Sequence, residues 1–405
     1  MGAARGVLLL LGLPAAALAP QPNVLLIAVD DLRPEIGCFH PWSEADTILT
    51  PHLDGLAPRR RGTLFSKSDD EIPNAEPRLS FSFDANASTW RKWFRQSEMC
   101  NDHDMPDQAM AAFRRGDGSV VAFVGDDSLN GKPGGGFFAS RGPSITELKR
   151  DCSAPVLTGG TSPDPSVFPH NVWLTATWTA DGETIHGLVH DEYHPPSCPH
   201  QNATAVCWYT TVLAAKSTDG GKRFEYVRTK DNPRAIALAS PLPYIPSLTH
   251  PQGLPNNHIV QDPRDGYVYC LVSCGQGAET GTGGKCVWRT KDMGDVSSWR
   301  GWDGSGWRAT SVDPYSSPPP SSAGHLAATV GSGIAGSGGV TFLESAGVFV
   351  AMGSVSPKAH LMNVMYQTST NMTSWSPVRF AGSVTLPDEF IGATIYPHLM
   401  DAASP

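Results

Sequence analysis

Asp107, His190, Glu192 and His194 are the residues whose types and spacing could do chemistry. His190, Glu192 and His194 recur at period two, so in a strand they share one face. Hydrolysis of a glycosidic bond needs two carboxyl groups, one protonated as acid and one ionised as base or nucleophile. Asp107 as base and Glu192 as acid would meet that need, with His190 beside them and Arg114 holding an anionic or polar sugar group. His194, Asn257, His258, Tyr396 and His398 are the candidate substrate contacts. His190, Glu192 and His194 could also ligate a metal, but not as the zinc-protease H-E-x-x-H, because Asp191 holds the Glu position and the context is not helical.

These residues need strands to carry them. Trp173–His194 reads as two β-branched, alternating runs around Asp181-Gly182, a strong short-range hairpin signal. The same order recurs around Gly118, Asp265-Gly266 and Ala346-Gly347. After each of the last three hairpins comes a strand, a polar turn and an aromatic: Ser217–Phe224, Thr290-Lys291-Asp292 with Trp299, and Ser369-Thr370-Asn371 with Trp375. A unit of this kind cannot bury its own faces, and repeats of it stack radially into a β-propeller. The inner strand of each blade would then line a central funnel, where the candidate residues meet. The expectation is an all-β, five-bladed propeller over residues 96–405, its last blade incomplete after Ile395–Asp401.

Composition narrows the partners. Net charge is −9 with no sustained basic stripe, which argues against nucleic acid. Met1–Ala19 carries one Arg, an apolar Val7–Leu13 and an A-x-A end, the form of a secretory signal peptide cleaved near Ala19. No later run is long enough to span a membrane. Sequons at Asn86, Asn202 and Asn371 fit a secreted or lumenal chain, and in that compartment the 8 Cys favour disulfides. Cys198 with Cys207, and Cys270 or Cys274 with Cys286, are the local pairings. A soluble monomer acting on carbohydrate, sulfated or otherwise anionic, is expected.

Ser217-Thr218-Asp219-Gly220-Gly221 with Phe224 resembles a degenerate Asp-box, and the region as a whole resembles the sialidase-like and arabinanase-like propellers. That resemblance implies a propeller that acts on or binds glycans. No arginine triad is evident, so sialidase chemistry itself is not implied. His103–Asp401 also resembles a family of uncharacterised secreted propeller proteins, through Pro106-Asp107 and Leu188-Val189-His190 before Glu192-Tyr193.

The front of the chain differs. Pro22–Asp31 is an apolar run ending in two carboxylates and reads as a buried parallel strand of an α/β sheet. With Gly37-Cys38 and Thr50–Ala57 it resembles the start of sulfatases of the alkaline-phosphatase-like superfamily, the iduronate-2-sulfatase type in particular. The resemblance implies Asp30 and Asp31 as metal ligands, with Ca²⁺ as the cofactor if that site works. The C/S-x-P/A-x-R context of the sulfatase formylglycine is missing; Cys152–Val156 comes nearest and lacks the Arg. Residues 1–19 are thus expected as a signal peptide, 20–57 as a sulfatase-like fragment and 58–95 as a linker before the propeller. The functional expectation is a glycoside-hydrolase-like secreted propeller. The alternatives are a sulfatase and a non-catalytic carbohydrate- or protein-binding propeller.

Overall fold

The computed structural model describes residues 8–11, 23–29, 91–92, 98–101, 104, 107–125, 136–195, 208–240, 242–247, 251–255, 258–274, 284–316, 330, 338–358, 361–385 and 395–401. They are strands and turns, with one short 3₁₀ helix at Val296–Ser298. No helix among the described residues is long and apolar enough to cross a membrane.

Four sheets have the order of propeller blades, each an antiparallel meander along its main path. Blade one runs Ala111–Arg114, Val120–Phe123, Ala139–Gly142, Lys149–Asp151. Blade two begins Asn171–Thr179, Ile185–Tyr193, Tyr209–Ser217, with three short strands pairing onto the last of these. Blade three starts at His258–Gln261 and ends at Trp307–Ala309, and blade four runs from Val340–Leu343 to Arg379–Thr385. Strand order alone would also suit a row of separate sheets. Packing decides for the propeller, because each blade shares one face with the blade before it and the other with the blade after. Phe113, Val121 and Phe123 of blade one join Leu174, Val189 and Leu213 of blade two. The other face of blade two packs Ala176, Leu188 and Val212 on Val268, Cys270 and Val272. Tyr269, Leu271 and Val287 on the far side of blade three meet Val340, Phe349 and Met372 of blade four. Apolar faces on both sides drive this stacking, at about 25 cal/mol per Å² removed from water.

The sequence predicts five blades, and four have this form. A further sheet joins the C-terminal strand Ile395–Asp401 to Asn23–Val29, then Leu8–Leu11, then Arg91–Lys92. The parallel α/β strand expected at Pro22–Asp31 is therefore corrected. Asn23–Val29 is antiparallel to both neighbours, in register from Asn23 opposite Asp401 to Val29 opposite Ile395. Leu8–Leu11, within the expected leader, is the strand that pairs on its other side. Tyr396 and Met400 pack beside Met110, Val120 and Val124 on the outer face of blade one. At the other side Gly339 N–H donates to the Pro397 carbonyl at 3.0 Å. A Cβ on Gly339 would stand 2.2 Å from the His398 ring, so only glycine permits this approach.

The repeated turns close by one mechanism. Ser217 Oγ accepts from Gly221 N–H and Asp219 Oδ1 from Lys222 and Arg223 N–H, while Phe224 is buried. Ser369 with Asn371, Thr290 with Asp292, and Thr179 with Asp181 repeat the pattern, a hydroxyl and a side-chain oxygen each capping backbone N–H groups. Of the expected disulfides, Cys274–Cys286 is present, which leaves Cys270 buried and free. Cys100–Cys152 joins the approach to blade one to its outermost strand, and Cys198 and Cys207 lie outside the described residues.

Candidate active site

The inner strands run outward from a shared mouth. Asp107 precedes blade one, Asn171 opens blade two, His258 opens blade three and Tyr396 stands at the start of the C-terminal strand. Asp107 is fixed from several sides. Its N–H donates to the Val124 carbonyl at 2.9 Å, and the next side chain, Gln108, donates to the carbonyls of Phe123 and Leu174. Just upstream, Asp104 is fully buried in an ion pair with Arg150 and accepts from Cys100 N–H. The disulfide from Cys100 to Cys152 ties the same segment to the strand carrying Arg150.

Both carboxylate oxygens of Asp107 are engaged across blade boundaries. Oδ2 accepts from Trp173 Nε1–H at 3.0 Å, and Oδ1 lies 3.4 Å from the Tyr396 hydroxyl. Trp173 is 5% exposed and sits edge-to-face on His190, its partner in the strand register, with ring centroids 5.1 Å apart. A β-bulge follows: Leu174 faces Val189 but Ala176 faces Leu188, leaving Thr175 as the extra residue. Bulges re-aim side chains beside active sites, and this one sits two residues from the tryptophan that reaches Asp107.

Glu192 opposes Asn171 at the mouth, one same-face repeat of about 7 Å beyond His190. Its Oε2 lies 3.1 Å from His194 Nε2. Burial lowers the pKa of His190 and outweighs the opposing pull of Glu192, Asp191 and Asp107. On the opposite face of the strand, Asp191 is fully buried and accepts from His170 backbone N–H at 2.6 Å and from its Nδ1 at 2.8 Å. Burial resists a charge on His170, but the hydrogen bond and charge of Asp191 prevail and raise its pKa.

The structure thus brings Asp107, His190, Glu192, His194 and Tyr396 into one neighbourhood. Arg114 does not join them. It ends the inner strand that Asp107 precedes, and its Nη1 donates to the Gly118 carbonyl in the hairpin turn. His258 and His398 line the axial cavity below, with ring centroids 6.5 Å apart. Burial lowers the pKa of His398, whose Nδ1 is 3.1 Å from the Met110 carbonyl. That cavity, about 640 Å³, has Glu344 as the one carboxylate in its lining, so a two-carboxylate hydrolysis is not arranged there. Asn257, Asp30 and Asp31 lie outside the described residues, and with them the expected Ca²⁺ site. Among the described residues no group of three or more His, Cys, Asp or Glu is placed to hold a metal, His190, Glu192 and His194 included. Sequence reasoning missed Trp173 and His170. The signal for Trp173 was an indole N–H that must find a partner once buried.

No family model and no curated protein matches the sequence. Solved structures similar to this chain include a family 117 glycoside hydrolase of the marine bacterium Zobellia galactanivorans, at 7% identity, covering 75% of this chain and 86% of the other, with TM-score 0.42. A member of the family 130 mannoside phosphorylases and hydrolases, described as targeting β-1,2-mannosidic linkages in Candida mannan, covers 75% and 83% at 11% identity with TM-score 0.43. The exo-β-1,3-galactanase of Phanerochaete chrysosporium covers 67% and 50% at 10% identity with TM-score 0.38. Identities and scores this low leave function to be judged on the chain's own geometry.

Proposed function

We propose that the chain is a glycan-directed glycoside hydrolase, with Asp107 as base or nucleophile and Glu192 as general acid. The observation that carries this reading is the cross-blade hold on Asp107. Trp173 and Tyr396 come from different sheets, and both aim a donor at its carboxylate beside His190 and Glu192. An ionised carboxylate is acceptor-only, so a carboxylate met by two donors suits the base rather than the acid. Glu192, with His194 as its proton-exchanging neighbour, suits delivery of a proton to the leaving oxygen. In the same reading the fifth sheet completes a five-bladed ring, which is what brings Tyr396 to Asp107, and secretion supplies the glycan substrate.

The test is hydrolysis of a panel of aryl glycosides and plant and algal polysaccharides. Asp107→Asn and Glu192→Gln are each expected to cut kcat by about 10²–10⁴-fold. Azide should rescue Asp107→Asn if the carboxylate is a nucleophile. Activity unchanged in both variants overturns the assignment, as does a crystallographic carboxyl separation well beyond about 10 Å. A second reading, a non-catalytic glycan-binding propeller, draws on the fact that Asp107 has protein partners on both oxygens. It predicts glycan binding with no turnover. The sulfatase alternative needs Ca²⁺ on Asp30 and Asp31 and predicts sulfate release from an aryl sulfate.

A further inference from the structure

On the face of the propeller opposite Asp107, a cleft of about 310 Å³ opens between blades three and four. That is the lower end of the range of about 300–1,000 Å³ for small-ligand sites. Its centre is Arg289, whose guanidinium carbon lies 4.1 Å from the Tyr267 ring centroid and 4.2 Å from that of Trp307. Two rings thus pack against the guanidinium, one of its N–H groups is taken by the Tyr269 hydroxyl, and its remaining N–H groups are the part that can bind. The neighbouring carboxylates are committed elsewhere. Asp262 is held by Arg264, and Asp265 accepts from Tyr267 N–H and the Tyr269 hydroxyl. Lys291 adds a second cation 4.7 Å from the Tyr267 centroid. Trp302, edge-to-face with Trp307 at 5.5 Å, supplies a further aromatic wall.

A guanidinium held between aromatic side chains, with N–H donors left over after the Tyr269 bond, matches a planar, two-oxygen anion. An aromatic wall beside it matches the apolar face of a ring. We propose that this cleft binds a uronate, a sugar ring carrying a carboxylate, with the carboxylate on the edge of Arg289 and the ring against Trp302. The site is separate from the Asp107 mouth and does not depend on that mouth being catalytic. A merely structural stack, clipping the outer hairpin of blade three to its inner turn, would bind nothing.

The experiment is calorimetric titration of the full chain with sodium glucuronate, glucose and sodium sulfate in turn. Because the Asn371 sequon lines the cleft, the protein is made in a host that does not N-glycosylate. Glucuronate is expected to bind saturably with a Kd on the order of 1 mM, and glucose and sulfate at least about tenfold more weakly, which is about 1.4 kcal/mol. Arg289→Gln should abolish binding. Arg289→Lys, which keeps the charge but not the planar fork, should weaken it several-fold, and it decides the matter if the Gln variant fails to fold. Glu192→Gln at the opposite face should leave it unchanged. The proposal is overturned by absence of saturable glucuronate binding, by sulfate binding as tightly as glucuronate, by binding that survives both Arg289 substitutions, or by binding lost with Glu192.

Discussion

Trp173 shows how much at this site depends on one hydrogen bond. Its ring is buried, so in the proposed hydrolase it would act through the N–H on Asp107 rather than by contact with sugar. Trp173→Phe keeps an aromatic ring in the core and removes that donor. The expected result is a kcat about tenfold lower, some 1.4 kcal/mol in the barrier, with KM unchanged and about 1 kcal/mol lost in stability. A raised KM with kcat intact would make Trp173 a sugar contact instead. The two histidines on this hairpin have opposite pH signatures. His170, with its pKa raised, contributes stability that is fully present below the ordinary histidine value and is lost as pH rises through the folded one. His190, with its pKa lowered, costs stability as pH falls through the ordinary value. His170→Asn should therefore lower Tm more at about pH 5.5 than at about pH 8. An equal loss at both would show that the Asp191 pair is not charged in the native state.

At the scale of the element, strand direction explains the mixed success of reading the site from sequence. Period two places His190 and Glu192 on one face of Ile185–Tyr193, and His194 follows just past the end of the strand. Arg114 stands near Asp107 in sequence, but a strand separates its ends, and Asp107 lies before Ala111 while Arg114 ends it. The bulge at Thr175 leaves no mark in composition, so the aim of Trp173 could not be foreseen. Nor could the Cys100–Cys152 bond, because pairing over 52 residues depends on where blade one puts its outer strand. That bond should matter for function as well as stability. Loop-closure entropy for such a span amounts to about 4 kcal/mol. Cys100→Ser with Cys152→Ser should lower Tm and, because Asp107 follows the tethered segment, depress kcat more than KM. A double variant with full activity and reduced Tm would confine the disulfide to stability.

For the whole molecule the open matter is the fifth sheet. Blades two, three and four were legible because their turns announce themselves: Asp or Asn with a hydroxyl two residues before it, closing N–H groups the same way each time. The fifth has no such turn, and its strands come from opposite ends of the chain, so no local signal links them. The apolar run of Asn23–Val29 announced burial but not a partner. Its register with Ile395–Asp401 holds over the whole strand, whereas Leu8–Leu11 and Arg91–Lys92 add only short pairings outside it. If the ring closes through that one pair, truncations should separate sharply. A chain beginning at residue 20 keeps Asn23–Val29 and should retain most of its Tm, losing only the outer pairing. A chain beginning at residue 31 leaves Ile395–Asp401 without its partner, which frees Tyr396 from Asp107 and exposes the face that Met400 covers on blade one. It should melt about 5 °C lower, since a few kcal/mol corresponds to several degrees in a domain of this size, and should bind a hydrophobic dye at room temperature. Thermal melts of the two truncations against the full chain decide it. Equal Tm for both would mean that the four blades stand without closure, and that Tyr396 reaches Asp107 by a strand held on one side alone.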